Sequence, residues 1–392
     1  MIKTQLSLPE IQTQLRKLDV SQAAVLSSYA GFADDSQWPG QPRQTFSLVL
    51  QPADVAYLQD CMEQLYRTIR KDLVVQPPAD SIPFDFIRID GYYDVESKKL
   101  QILEINSHDA GMHEIGEWLD AQTASALKIT VGDKLNDVIA NNQHAWQVAH
   151  LGEFNRALFF SRPGIPRWLY YEAIQRRYPN LVAISDYEAV TFKPTGVVLD
   201  GLEYKAVITK ASGGRPKPIR LLDDAGQVSL VQSRINGYIG DKKYLESLPF
   251  DFVAKAVPID PAKHKEYLEQ QAELVLKKSI SSGSRGVIMG RGLTADAWAK
   301  ALQTVYLEHA AWTMQHYAKP GNGTVIGHGQ ANQTCRTQLG IFILPSTADP
   351  SQCSIDIVVK GYVGTDEAVM FDPAGYKPDI WFGNVIVTAH KS

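Results

Sequence analysis

Two short segments place charged and polar residues at alternate positions. In FIRID, Arg88 and Asp90 are two apart, and in QILEINS, Glu104 and Asn106 are two apart. Side chains of an extended strand alternate between faces, so each pair projects to one side of its own strand. Ile87, Ile89, Leu103 and Ile105 then turn the other way, into a core. If the two strands pair with those faces aligned, a guanidinium fork, two carboxylates and an amide meet on one patch. Two carboxylates and an amide oxygen are hard ligands suited to magnesium, which keeps several waters and is completed by substrate phosphates. The arginine would sit where phosphate or carboxylate charge develops. The plainer alternative is an exposed Arg–carboxylate patch, which is common on proteins and weak.

A second group lies further along. Lys277 ends an apolar run and is followed by SISSGSRG. Gly283 and Gly286 let backbone approach an anion closely, and the N–H groups around Ser282 and Ser284 suit a triphosphate. The segment lacks GxxxxGK[ST], and no GxGxxG follows a strand, so neither familiar nucleotide fingerprint is present. An ordinary hairpin turn is the alternative. Just beyond Asn106, His108, Asp109 and His113 read as substrate contacts or solvated groups rather than a zinc set. Arg336, opening RTQLGIFIL, could bind a substrate carboxylate by its fork or serve as an edge-strand charge.

These groups need elements to hold them. Residues 1–75 read as mainly helical, with a loop at 31–43 and a clear helix at 53–71, before QPPADSIPF breaks the pattern. Runs 84–90 and 100–106 suggest an antiparallel hairpin with a somewhat long turn, and helical patterns fill 113–147. A small α/β unit follows, with a strand in ALFF, a helix in IPRWLYYEAIQRRYP and strands in NLVAISD and VVLDGLEYKAVITK. Then come a helix after NGYIGD, a strand in DFVAKAV, a helix in HKEYLEQQAELV, strands at LVLKK and VIMG, and a helix at 295–309. The remainder is strand-rich.

The 392 residues exceed one ordinary domain, and 44% hydrophobic with 21% charged residues describes a globular chain. A net charge of −4 gives no basic field for nucleic acid or an anionic membrane. The N-terminus reads as an amphipathic helix rather than a signal peptide, and no apolar run is long enough to span a bilayer, so a cytoplasmic location is expected. Cys61, Cys335 and Cys353 are odd in number and widely spaced, which points to packing rather than disulfides or zinc.

Taken in order, these segments resemble the ATP-grasp superfamily, and within it the circularly permuted type exemplified by the synthetase domain of glutathionylspermidine synthase. In that type an RxD and an ExN precede the nucleotide-clamping lysines, as Arg88, Asp90, Glu104 and Asn106 do here. The resemblance spans residues 83–390 and rests on the order of five segments rather than on any one motif. It implies that Lys242, in NGYIGDKKYL, and Lys277 hold the nucleotide phosphates, with Lys243 and Lys278 as register alternatives. The loop residues Ser282, Gly283, Ser284 and Gly286 would cover those phosphates, and Gln315, His316 and Tyr317, in WTMQHYAKP, would lie beside the adenine. Asp90, Glu104 and Asn106 would hold magnesium, Arg88 would meet developing charge, and His108, Asp109 and Arg336 would contact substrate.

The implied fold is α+β: two subdomains clamp ATP, and a small α/β lobe accompanies them. The divisions expected are 1–80, mainly helical; 81–150, hairpin and helices; 151–230, the small lobe; 231–318, nucleotide clamp; and 319–392, strand-rich completion of the catalytic part. The implied activity is ATP-dependent carboxylate–amine ligation through an acyl phosphate, with ATP and Mg2+ as cofactors. The partners would be a small carboxylate and an amine, without nucleic acid or membrane, and with a homodimer among the assemblies allowed. The alternatives are a phosphotransferase on the same scaffold and a non-catalytic ATP-binding regulator.

Overall fold

The computed structural model describes residues 1–18, 45–75, 87–106, 113–130, 157–161, 182–186, 189–204, 206–209, 218, 221–222, 225–230, 239–281, 286–329, 335–346, 349, 351–362, 371–372, 375–376 and 380–389. The chain opens with β1 (Ile2–Thr4), α1 (Leu8–Leu15), β2 (Thr45–Leu50), α2 (Pro52–Val75), β3 (Ile87–Asp94), β4 (Lys99–Asn106) and α3 (His113–Leu127). Next come β5 (Ala157–Ser161), β6 (Val182–Asp186), β7 (Thr191–Lys193), β8 (Gly196–Leu199), β9 (Leu202–Tyr204), β10 (Ala206–Thr209) and β11 (Ser229–Leu230). Then follow β12 (Ala256–Pro258), α4 (His264–Glu269), β13 (Leu274–Lys278), β14 (Val287–Met289), α5 (Ala295–Leu307) and β15 (Trp312–His316). The chain closes with β16 (Thr324–Gly327), β17 (Arg336–Pro345), β18 (Cys353–Tyr362), β19 (Phe371–Asp372), β20 (Gly375–Tyr376) and β21 (Ile380–Thr388).

An eight-stranded mixed sheet, β16-β2-β21-β18-β17-β3-β4 with β1 added on β21, forms the centre. β1 and β2 run parallel to β21, and the other ladders are antiparallel. One face is covered by α2, whose Leu58, Met62, Leu65 and Ile69 recur at helical spacing and pack with Leu48, Ile341, Ile343 and Val359. Asp54 ties the start of this helix to the sheet, accepting from the Gln51 N–H at 2.8 Å and the Tyr93 hydroxyl at 2.7 Å. The opposite face carries α3, and the Asn384 amide on β21 donates to Asp120 of that helix at 2.9 Å. Gly116 is what brings α3 so close, because a Cβ there would lie 2.2 Å from Val358 Cγ1 on β18.

A four-stranded sheet, β12-β15-β13-β14, is backed by α5 through Trp298, Leu302 and Val305 against Leu276 and Met314. A second four-stranded sheet, β11-β10-β5-β6, is wholly parallel, and the meander β7-β8-β9 packs near it around Leu158, Val197 and Tyr204.

The structure differs from the sequence reading in several elements. Residues 1–75 were expected to be mainly helical, yet β1 and β2 join the central sheet. Thr45–Leu50 is buried along its whole length, and a short apolar run without alternation has no period by which to tell strand from helix. The segment after NGYIGD forms a 3-10 helix (Lys242–Ser247) rather than an α-helix, and the expected helix at HKEYLEQQAELV stops at Glu269. DFVAKAV contributes only Ala256–Pro258 as strand. The hairpin between β3 and β4 closes in four residues rather than by a long turn, with Lys98 at φ 53°. The expected helix at IPRWLYYEAIQRRYP and the later part of the run 113–147 lie outside the described residues. Cys61, Cys335 and Cys353 are free and buried, as expected of packing residues.

The close seat of α3 on β18 is testable. Gly116→Val should cost about 1–3 kcal/mol of unfolding free energy, the usual cost of overpacking, seen as a lower urea midpoint, and adding Val358→Ala should restore part of the loss. A midpoint equal to wild type would mean that the helix does not sit there.

Candidate functional site

β3 and β4 pair with Arg88 opposite Asn106 and Asp90 opposite Glu104, so the two polar pairs share one face. The condition that the sequence left open is met. Asp90 is 2% exposed and accepts from both ends of the Arg88 fork, at 2.7 Å from Nε and 3.0 Å from Nη2. Its Oδ2 also accepts from Lys360 Nζ at 3.4 Å, across from β18. Burial opposes ionisation of Asp90, but the Arg88 and Lys360 charges outweigh it and hold the carboxyl below its usual range. Burial likewise lowers Lys360, with Asp90 pulling the other way. These residues are a buried ion cluster and not the exposed patch that was the plainer alternative.

Immediately after that pair the ladder slips. Asp90 faces Glu104, but Gly91 faces Ile102, leaving Leu103 as the extra residue of a bulge in β4. The Leu103 carbonyl turns towards the smaller sheet, accepting from Lys277 Nζ at 3.0 Å and Gln315 Nε2 at 3.3 Å. Ile102 binds the same side through its N–H to Phe252 O at 2.7 Å and through its carbonyl from Ala254 N–H at 2.9 Å. β4 is thus where the two sheets meet. Between them opens a cleft whose walls include Glu104, Lys242, Lys277, Gln315, His316 and Tyr317.

Lys242 leads its 3-10 helix, which Asp241 caps by accepting from the Lys243 N–H. Its ammonium donates to Ser281 O at 2.8 Å and lies 3.9 Å from Glu104 Oε2. Lys277 is buried beside it, and that burial brings its pKa down to about 8, with Glu104 raising it and Lys242 lowering it. The register alternative Lys278 points elsewhere: it sits over the Trp312 ring and near Glu308, on the far side of the strand pleat. Gly286 has φ +77°, a conformation that favours glycine, and its carbonyl accepts from the Lys278 N–H at 2.8 Å to close the β13–β14 hairpin.

Gln315 is held by the Leu103 and Ala254 carbonyls, and Tyr317 stacks beneath Arg291 at 3.9 Å. Arg336 lies on the same β17 face as Gln338 but reaches Asn322 Oδ1 at 2.8 Å, and it is not among the cleft walls. Ser282, Gly283, Ser284, His108 and Asp109 lie outside the described residues.

Three site residues escaped the sequence reading. Lys360 shares the run SIDIVVKGY with one other charge, Asp356, and a lysine inside a buried strand is itself a signal. Gln338 and Tyr92 line the cleft, with the Tyr362 hydroxyl donating to Gln338 Oε1 at 2.7 Å. Only the pairing of β17 with β3 brings them there.

Among the described residues no three His, Cys, Asp or Glu side chains cluster as a ready metal site. A cation fits the chemistry of Glu104 and Asn106 instead. Glu104 is 30% exposed to the cleft, and Asn106, two residues on along the same strand face, offers an amide oxygen; its buried Nδ2, a donor with no partner among the described residues, is a group that an acceptor and not a cation would satisfy.

No protein-family model matches this chain, and no curated protein matches it by sequence. Solved structures do match. A glutathione synthetase-like effector from Globodera pallida, in its apo form, superposes with a TM-score of 0.60 at 13% identity, covering 98% of this chain and 100% of that one. A gamma-glutamylcysteine synthetase-like protein from Methylobacillus flagellatus KT gives 0.43 at 12% identity over 86% and 90%, too distant to carry an argument. No helix among the described residues is long and apolar enough to cross a membrane. The chain has a mixed α+β, glutathione synthetase-like fold.

Proposed function

We propose that this chain is an ATP-dependent carboxylate–amine ligase of the circularly permuted ATP-grasp type. One observation carries the reading: Lys242, Lys277 and Glu104 face each other across a cleft between two sheets, joined to a buried Arg88–Asp90–Lys360 cluster. Among the described residues the cations of this cluster outnumber its carboxylates, which favours an anion in the cleft, and a nucleotide triphosphate is such an anion. The shared fold with a glutathione synthetase-like effector agrees with amide-bond chemistry.

In the proposed reaction the carboxylate oxygen of one substrate attacks the γ-phosphorus of ATP, and ADP leaves. The acyl phosphate is then attacked at its carbonyl carbon by the amine, which loses a proton as inorganic phosphate departs. No side-chain nucleophile takes part. The chain's own work is placement and charge neutralisation. Lys242 and Lys277 hold nucleotide phosphates, Arg88 meets charge that builds as the phosphoryl group moves, and Tyr317 with the Gln315 strand borders the base. Magnesium, when bound, neutralises the phosphates from Glu104 and Asn106. The divisions 1–80, 81–150, 151–230, 231–318 and 319–392 go with this proposal, as do a small carboxylate and an amine as partners.

Calorimetry should detect ATP binding with magnesium, weakened by Lys242→Ala and Lys277→Ala but not by Lys243→Ala or Lys278→Ala. A wild-type protein that gives neither heat nor a raised Tm at saturating ATP refutes the proposal. Screening ADP release against pools of amino acids, small acids and polyamines, with mass spectrometry of the product, identifies the substrates. On those substrates Arg88→Ala should lower kcat and kcat/KM together by about 10² or more while ATP affinity stays close to wild type.

Lys277 gives a further test because its folded pKa, about 8, lies below its ordinary 10.5. Below pH 8 the ammonium is charged in both states and its burial costs stability; between 8 and 10.5 the unfolded chain binds more protons, so stability rises with pH. Lys277→Met should therefore stabilise the protein at pH 7, by at most about 3.5 kcal/mol at roughly 1.4 kcal/mol per pKa unit. The gain should fade as pH rises through 10.5, and ATP binding should be lost at every pH. A destabilised Lys277→Met at pH 7 would show that the ammonium is structural.

A further inference from the structure

The resemblance to ATP-grasp enzymes assigns Asp90 to magnesium together with Glu104 and Asn106. The geometry separates them. A carboxylate offers about four lone-pair positions, and three on Asp90 face charge-assisted donors: Arg88 Nε at 2.7 Å, Arg88 Nη2 at 3.0 Å and Lys360 Nζ at 3.4 Å. Asp90 and Lys360 are 2% and 3% exposed, and the Arg88 side chain is buried with them. Among the described residues two cations stand against the one carboxylate of this cluster, so a divalent cation set beside Asp90 would face both at close range.

The backbone is arranged for this pairing. β17 lies between β3 and β18, and its residue opposite both Asp90 and Val358 is Gly340. A Cβ on Gly340 would lie 3.1 Å from Arg88 Cδ and 3.1 Å from Val358 Cγ2, so the missing side chain is the channel along which Arg88 lies. Lys360, opposite Gln338 on the same face, reaches across that channel to Asp90. Glu104, by contrast, keeps its exposure to the cleft at 3.9 Å from Lys242, and Asn106, two residues on along β4, brings an amide oxygen, a hard ligand, to the same strand face.

We propose that Asp90 is a positioning carboxylate, which holds Arg88 and Lys360 together as a seat for the transferred phosphoryl group or the substrate carboxylate, while the metal rests on Glu104 and Asn106 without it. This rests on the ATP-dependent reading above. Asp90 sets the directions of two cations, and its substitution leaves them present but unaligned. Lys360 is thereby added to the residues that meet substrate charge.

Crystals of the wild-type protein grown with Mn2+ and the non-hydrolysable analogue AMP-PNP should show an anomalous peak within about 2.5 Å of a Glu104 oxygen and none at that distance from Asp90. In solution, Mn2+ titrated by electron paramagnetic resonance with AMP-PNP present should bind Asp90→Asn as it binds wild type, and Glu104→Gln at least about tenfold more weakly. In the ADP-release assay Asp90→Asn should lower kcat by about tenfold or more with KM for ATP unchanged. A manganese peak on Asp90, a loss of Mn2+ affinity equal to that of Glu104→Gln, or an unaltered kcat overturns the proposal. A double-mutant cycle on urea midpoints, using Asp90→Asn and Lys360→Met, needs no nucleotide. The double variant should lose less than the two singles together, and additive losses would refute the link. If wild type fails to bind Mn2+ with AMP-PNP, the ATP reading falls, and the cycle still decides whether Asp90 and Lys360 act as a pair.

Discussion

The carbonyl of Leu103 is the point at which the central sheet and the sheet β12-β15-β13-β14 meet. β4 is the edge strand of the central sheet, so its outward N–H and C=O groups can pair with a second sheet, and an interruption of the ladder turns a further carbonyl out beside them. The bulge at Leu103 makes that interruption. It aims one backbone oxygen at Lys277 and Gln315, and it sets Glu104 and Leu103 at the same end of the cleft. Lys277 is consequently fixed by the central sheet although it belongs to the smaller one. Its desolvation follows from the same contact, since an ammonium drawn against β4 is removed from water before any ligand arrives.

Charge explains the rest of the arrangement. Arg88, Lys242, Lys277 and Lys360 gather around Asp90 and Glu104, all within a cleft and the sheet surface that forms its wall. Buried or half-buried cations in excess of carboxylates are expensive to maintain, and a fold keeps such an excess where an anion completes it. Asp90 and Glu104 divide the available negative charge unequally. Asp90 is consumed by two cations, whereas Glu104 lies 3.9 Å from Lys242 and remains open to the cleft. Two carboxylates from adjacent strands thus acquire different roles from their neighbours alone.

The helices serve this geometry indirectly. α2 supplies the apolar floor under β17, β18 and β3, which keeps the strands carrying Asp90 and Lys360 in register. α3 presses on the other face through Gly116 and ties β21 through Asp120 and Asn384. The ion cluster lies on that same face of β3, β17 and β18, so apolar packing on both sides of the sheet protects pairs that solvent would otherwise screen.

Local alternation made the hairpin legible in the sequence: Arg88 with Asp90 and Glu104 with Asn106 stand two apart among isoleucines, and no tertiary information is needed to place each pair on one strand face. The same reasoning reached Lys277 and the turn after it, because a lysine ending an apolar run and followed by glycines is a local pattern. It could not choose between Lys277 and Lys278, since LVLKK is apolar on both faces of its pleat and only pairing with β14 and β15 decides which lysine enters the cleft. Nor could it find β2 as a strand, as a run buried on both sides has no period to read. Lys360 and Gln338 lie more than two hundred residues from Asp90 in the chain, and their meeting depends on β17 sitting between β3 and β18. Residue type and spacing along one strand therefore determined which chemistry was present, while the order of strands in the sheet decided which charges met, because contacts across strands are set by non-local pairing that no local pattern encodes.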